Sequence, residues 1–382
     1  MDSKTLHKQM ILCILGISTV GISLGLLGPV TVILLEKNHM PTWINGLFVT
    51  MSYLTIFIFS FITGKLINHY GIKKIFITGM VLMLIGSIGL PMIFNIPILF
   101  ISRAIMGIGI TFGFVSTEVL INVLSTEEKR NKNITLYIMI FSLGIAIGSA
   151  LIWTVNVNII LPYAIATIII LVVLIISYLK LLDCKLPKGG EEEHKNLNIK
   201  NLPLIGIISA ILYGFFESSI TVVLPIYGLR TGFNQNETSV LITAFVLGGI
   251  VVYYYLSKVF DETNYLKYIK LTLLLLVIFL SFPIYIDNLI VQSIIFFLLG
   301  GLVPELYSLG LSYTMAKIEK QHTAEANGYY SSSYGFGTLV GPLVSSELLD
   351  IDAKVAYWIT ATILTIIVLS ITLGVKNGTN KN

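Results

Sequence analysis

An all-α membrane protein of twelve transmembrane helices is what this sequence predicts, on three observations. Twelve apolar stretches follow one another along 382 residues, each near the ~20 residues a helix needs to cross ~30 Å of hydrocarbon. Of the 24 Lys and Arg, 20 fall on segments that a twelve-span reading puts on one side of a bilayer. The composition is 55% hydrophobic and only 12% charged, with no apolar–polar alternation long enough to mark a soluble domain. Lipid offers no partner to an open backbone, so the spans must be helices.

The stretches run 11–35, 43–63, 75–94, 97–123, 134–156 and 159–182 in the first half of the chain. They continue at 202–226, 238–257, 269–286, 288–316, 328–349 and 355–375. The first is preceded by Lys4, His7 and Lys8 and imitates a secretory signal. Its apolar run is longer than a signal core and no A-x-A site follows, so it is expected to stay as helix 1. After the second stretch come Lys65, Lys73 and Lys74, and after the fourth Lys129, Arg130 and Lys132. The sixth is followed by Lys180, Lys185, Lys188, Lys195 and Lys200, the eighth by Lys258, Lys267 and Lys270. Lys317 and Lys320 follow the tenth, Lys376 and Lys381 the twelfth. The opposite side holds Lys37, Arg230 and Lys354, while Arg103 falls inside the fourth stretch. Adding or losing one span would destroy this asymmetry, which places both termini in the cytoplasm. The expected location is the plasma membrane of a bacterium.

Composition also excludes several classes. The net charge of +4 is accounted for by inner loops drawn to anionic lipid, so it does not argue for nucleic acid. Cys13 and Cys184 have no metal-like spacing and form no disulfide framework. His7, His39, His69, His194 and His322 are read as lying in loops or tails, and no HExxH, P-loop or nucleophile elbow occurs. No enzyme activity, metal or cofactor is expected, and an ATP-driven pump would need a nucleotide-binding domain for which there is no room.

The chain repeats itself weakly at an offset of 193. Gly64, Lys65 and Asn68 align with Ser257, Lys258 and Asp261, and Gly144 and Gly148 align with Gly337 and Gly341. Two coincidences at one offset favour duplicated halves. The expected organisation is an N-terminal six-helix bundle at 1–182, a cytoplasmic tether at 183–201 that includes the charged run LPKGGEEEHKNLNIKN, and a C-terminal six-helix bundle at 202–382.

The segment from Gly64 to Lys74 reads GKLINHYGIKK and resembles the loop signature of the major facilitator superfamily: glycine, an acidic residue, a second glycine, then basic residues. With twelve spans, duplicated halves and a charged linker, the resemblance covers nearly the whole chain. It implies two pseudo-symmetric six-helix bundles and a conformational latch built from Gly64, Asn68, Gly71, Lys73 and Lys74, with Asp261 in the second half. The acidic position of the first half is Asn68, a departure from the pattern. Arg103 with Gly107 and Gly109 is similar to the arginine-plus-glycine signature of the family's proton-coupled antiporters. Gly144 and Gly148, and Gly337, Gly341 and Pro342, look like their glycine-rich helix, with the Gly-Pro ending in the eleventh stretch rather than the fifth. Helix 1 repeats the theme with Gly21, Gly25, Gly28 and Pro29. Small residues four apart let helices approach closely, and proline bends them.

A guanidinium stays charged at any accessible pH, so Arg103 must face protein or a wet cavity. It either braces the fold or couples to proton or substrate, and the acid often found near it is missing because no carboxylate lies between Asp2 and Glu36. Glu118, Glu217 and Glu305 sit within the fourth, seventh and tenth stretches, which by the resemblance line a central cavity together with the first. An ionised carboxylate in an apolar medium must pair, hydrate or take up a proton. Glu217, Glu305, Arg103 and Glu118 are therefore the candidates for proton coupling and substrate contact. Tyr213, Ser218, Tyr307, Ser308, Tyr313, Thr111 and Asn122 are candidate cavity residues, and Ser331, Ser332, Ser333 and Tyr334 are expected at a cytoplasmic gate. The functional expectation is a secondary transporter, a monomer in lipid, exporting a small amphipathic or zwitterionic organic molecule (a drug, metabolite or siderophore-like chelator) by proton antiport. Proton-coupled import of a small solute is the alternative, and a non-transporting membrane sensor a distant one.

Overall fold

The structure is a computed structural model that describes residues 3–124, 127–182, 202–259, 264–318 and 323–375. Twelve long helices occupy them, here α1 (Ser3–Lys37), α2 (Thr42–Tyr70), α3 (Ile72–Gly89), α4 (Ile96–Leu124), α5 (Glu127–Ala150) and α6 (Leu161–Lys180). The second set is α7 (Leu204–Arg230), α8 (Gln235–Val259), α9 (Tyr265–Ser281), α10 (Leu289–Met315), α11 (Thr323–Ile351) and α12 (Ala356–Gly374). Among the described residues eleven spans are long and apolar enough to cross a membrane, and α11 is not one of them. The eleventh stretch does form a helix, but its run Tyr329–Tyr334 consists of tyrosines and serines.

Two compact units emerge, Met1–Glu191 and Glu192–Asn382; the tether expected at 183–201 lies outside the described residues. Within the first unit α1 packs on α5 and α6, α2 on α4, and α3 on α4 and α6. Within the second, α7 packs on α11, α8 on α10, and α9 on α10 and α12. The same pairing scheme is thus used twice.

The seams repeat atom by atom. In the α1–α5 seam a Cβ at Gly144 would lie 2.6 Å from the Ser18 carbonyl, and in the α7–α11 seam a Cβ at Gly337 would overlap the Ile211 carbonyl. Ser18 and Ile211, like Gly144 and Gly337, are 193 residues apart. Gly107 on α4 faces the Ser52 carbonyl and Gly300 on α10 faces that of Phe245, again at this offset. Without a hydrophobic driving force between helices in lipid, such backbone proximity is what holds a bundle.

One boundary differs from the sequence reading. The expected loop after helix 2 is helical through Tyr70, so Gly64, Lys65 and Asn68 are exposed on the last two turns of α2. A single glycine inside a helix costs only about 1 kcal/mol and does not stop it. Gly71 does, because its φ of +89° leaves the helical region in a conformation that suits glycine. His7 and His69 are likewise helical rather than in loops or tails.

The helix ends sort by chemistry. Asn95, Asn158, Asn234, Asn288 and Asp352 accept from backbone N–H groups at or just before the starts of α4, α6, α8, α10 and α12, as N-caps do. These starts belong to the side read as external. Two of its three cations are neutralised there: Arg230 pairs with Asp350 at 3.2 Å and Lys354 with Asp287 at 2.6 Å.

Candidate functional site

In the second unit the register between α7 and α10 sets the depth of each side chain. Gly310 abuts Ser209, and Tyr213 meets Tyr307 with ring centroids 5.1 Å apart. The two helices run antiparallel, so continuing that register puts Glu217 within a turn of Glu305, about 4 Å along the axis. Both acids lie near the middle of their helices.

Tyr213 and Glu217 are four residues apart on α7, and Tyr330 and Tyr334 four apart on α11, so each pair shares one helix face. The Tyr334 hydroxyl donates to Glu217 Oε2 at 2.5 Å. Tyr213 stacks on Tyr334, centroids 5.3 Å apart and planes 22° apart. Tyr307 meets Tyr330 at 5.1 Å and Tyr334 at 5.5 Å, while the Tyr330 hydroxyl donates to the Tyr307 carbonyl at 2.7 Å. Four rings and one carboxylate thus form a single cluster, in which Tyr213, Glu217, Tyr307 and Tyr334 keep part of their surface open.

Glu305 is only 1% exposed, and its Oε2 has no hydrogen-bond partner. It follows Pro304, which supplies no N–H and leaves the carbonyl four residues earlier without its helical donor. An unpaired carboxylate oxygen at this depth is where a proton, a water or a cationic group binds.

The first unit holds the opposite charge. Arg103 is 2% exposed, and its guanidinium carbon lies 4.6 Å from the centroid of the Phe48 ring, a cation–π arrangement. Arg103 Nε and Nη1 have no partner, nor do both side-chain polar atoms of Asn45, one turn before Phe48 on α2, nor Ser52 Oγ, one turn after. Close by in charge terms is Tyr163 on α6, bonded to Thr31 at 2.9 Å. Thr31 gives its own proton to the Leu27 carbonyl at 2.7 Å, so Tyr163 is the donor in that pair.

The remaining candidates separate. Thr111 and Ser218 are buried and donate to backbone carbonyls of their own helices, Gly107 and Gly214, at 2.8 Å each; Ser218 also fills the seam against Gly341. Ser308 is half-buried beside Tyr307, and Glu118 is exposed on α4. Tyr313 lies two turns from the tyrosine cluster, beneath the Lys317 ammonium at 4.6 Å. The Asn122 side chain and Asp261 lie outside the described residues. Lys73 reaches toward the Tyr178 ring at 6.0 Å, and Lys74 is exposed. Pro342 is buried inside α11, one residue past Gly341. Tyr334, expected at a gate, is instead the partner of Glu217: α11 begins five residues earlier than the apolar run suggests, which carries Tyr334 three turns into the helix. Sequence reasoning missed Asn45, Phe48, Tyr163 and Tyr330 as partners in these clusters, since none belongs to a motif. Among the described residues no group of three or more His, Cys, Asp or Glu is gathered as metal ligands.

Two bundles built on one pairing scheme, with charged side chains buried inside apolar helices, define a multi-pass membrane protein. The Major Facilitator Superfamily model matches residues 13–303 and 206–381, and the chain belongs to that family of transporters. It is similar to the uncharacterized MFS-type transporter YfkF of Bacillus subtilis strain 168, with 24% identity over 379 residues and 94% of each chain covered. It is also similar to YcaD of Escherichia fergusonii, at 21% identity over 351 residues, covering 90% of this chain and 89% of that one. Among solved structures, the nucleoside transporter NupG superposes with a TM-score of 0.79 at 9% identity, covering 96% of this chain and 99% of that one. The human organic anion transporter MFSD10 superposes at 0.69 with 15% identity and the same coverage. At these identities the likeness concerns the fold.

Proposed function

We propose that this transporter exports a small amphipathic or zwitterionic organic molecule in exchange for protons, by alternating access. The observation that carries the reading is Glu217 held by the Tyr334 hydroxyl in a partly open tyrosine cluster, with Glu305 buried and unpaired at nearly the same depth. Oε2 of Glu217 is taken by Tyr334, which leaves Oε1 for a cationic or amphipathic group. A proton on either acid removes the charge that such a group needs. Protons arriving from outside would therefore expel substrate, and their loss to the cytoplasm would restore binding. Arg103, desolvated and with donors to spare, supplies a partner for an anionic group. On this reading Gly71 is the pivot of the α2–α3 latch, and both termini face the cytoplasm of a bacterial plasma membrane, with the chain working as a monomer.

The test is transport in proteoliposomes with an imposed pH gradient, using the molecule retained inside cells that lack the protein. Glu217→Gln and Glu305→Gln should each abolish gradient-driven flux while the protein stays folded. Normal flux in both variants would refute the proton role. Accumulation driven by a proton gradient in the same direction as the substrate would show import by symport instead.

A further inference from the structure

The inner end of the second unit carries a groove between α7, α10 and α12. Leu202, Pro203, Leu204 and Ile205 at the start of α7, Tyr313 and Lys317 at the end of α10, and Ile371 and Val375 at the end of α12 line an open groove of about 340 Å³. Leu12 and Leu120 are in register with Ile205 and Tyr313 at the offset of 193, and Lys317 stands where the first half has Leu124. The cation at this position belongs to the second half alone.

The walls say what fits. Leu204 is 63% exposed and Ile371 40%, so the mouth is greasy and faces outward from the unit. The one charged wall residue is Lys317, held over the Tyr313 ring at 4.6 Å. Lys270 on α9 donates to the Val375 carbonyl at 3.2 Å and fixes a second cation at the rim. Among the described residues no carboxylate pairs with either lysine. The volume is at the lower end of the roughly 300–1,000 Å³ of ligand pockets, enough for a headgroup and the first part of a chain whose remainder stays in the bilayer. The end concerned is the one that the lysine asymmetry assigns to the cytoplasm, where the leaflet is anionic.

We propose that this groove binds one anionic phospholipid of the inner leaflet, its phosphate on Lys317 and Lys270 and its acyl chain along Leu204 and Ile371. The assignment is independent of the transport direction and of the acids at mid-depth. The test uses the purified full chain with Ile371→Trp as reporter, in bilayers of phosphatidylcholine containing brominated phosphatidylglycerol or brominated phosphatidylcholine at equal mole fraction. The added tryptophan signal should be quenched more by the glycerol lipid, with an apparent preference of about fivefold per lysine charge. Lys317→Gln should cut that preference about fivefold, Lys317→Gln combined with Lys270→Gln should abolish it, and Lys317→Arg should keep it, with melting temperatures showing all variants folded. Equal quenching by the two lipids, or a preference unchanged by Lys317→Gln, would overturn the proposal. So would displacement by soluble glycerol 3-phosphate, because the site would then take a free anion.

Discussion

Arg103 on α4 and Phe296 on α10 stand 193 residues apart, at the same place in the duplicated scheme, and their surroundings differ in charge. In the second unit Phe296 joins Tyr227 and Trp358, with centroids 6.1 and 5.5 Å away and Tyr227 to Trp358 at 5.4 Å. The Tyr227 hydroxyl donates to the Pro283 carbonyl at 2.9 Å and accepts from Gln292 at 2.5 Å. That cluster packs its rings closely and satisfies the Tyr227 hydroxyl. In the first unit the same position is a buried guanidinium with two idle nitrogens against the Phe48 ring, one turn along α2 from an asparagine with no partner. One frame has been used once for packing and once for charge, and the acids show the reverse division: Glu217 and Glu305 belong to the unit whose Phe296 position is apolar.

The sharpest way to break this division is at the acids. Glu305→Gln and Glu217→Gln should remove gradient-driven transport altogether with little change in melting temperature, measured on the same purified samples; parallel losses of flux and folding would assign the acids to packing. Next in size, Phe296→Ala should cost about 3–5 kcal/mol of stability, read from unfolding in detergent, without abolishing substrate binding. Arg103→Met should do the opposite. Replacing an unpaired buried charge with an apolar side chain of similar length leaves stability equal or higher, while flux falls. A loss of stability as large as that of Phe296→Ala would make Arg103 a brace and end the contrast. The smallest effect is expected for Tyr163→Phe, which removes one hydrogen bond to Thr31 worth about 1 kcal/mol and should leave transport of saturating substrate intact.

The fold was readable from the sequence because lipid simplifies the physics: a span must be helical, long and apolar, and lysines sort to one side. Even the 193-residue offset, found from Gly144 and Gly337, predicts the seams down to which carbonyl each glycine meets. The site was only partly legible. Glu217, Glu305 and Arg103 announce themselves because a charge inside a span is expensive. Their partners do not: Tyr334, Tyr330, Asn45 and Phe48 are common residues on helices whose rotation and register no local pattern fixes. Thr111 and Ser218 mislead for a related reason, since a helical hydroxyl can satisfy itself on its own backbone and need not reach a ligand. The end of α2 was missed because Gly64 looks like a stop in sequence, whereas only the backbone angle at Gly71 makes one.

The composition of α11 also bears on how the protein is made. A helix holding Tyr329 to Tyr334 and the glycines of the α7 seam gains less from hydrocarbon than its eleven more apolar neighbours. Its glycine and hydroxyl face becomes tolerable in lipid once α7 covers it, or when α12, which is strongly apolar, enters as the other arm of a hairpin. Membrane integration of α11 is therefore expected to depend on these neighbours more than that of the other helices does.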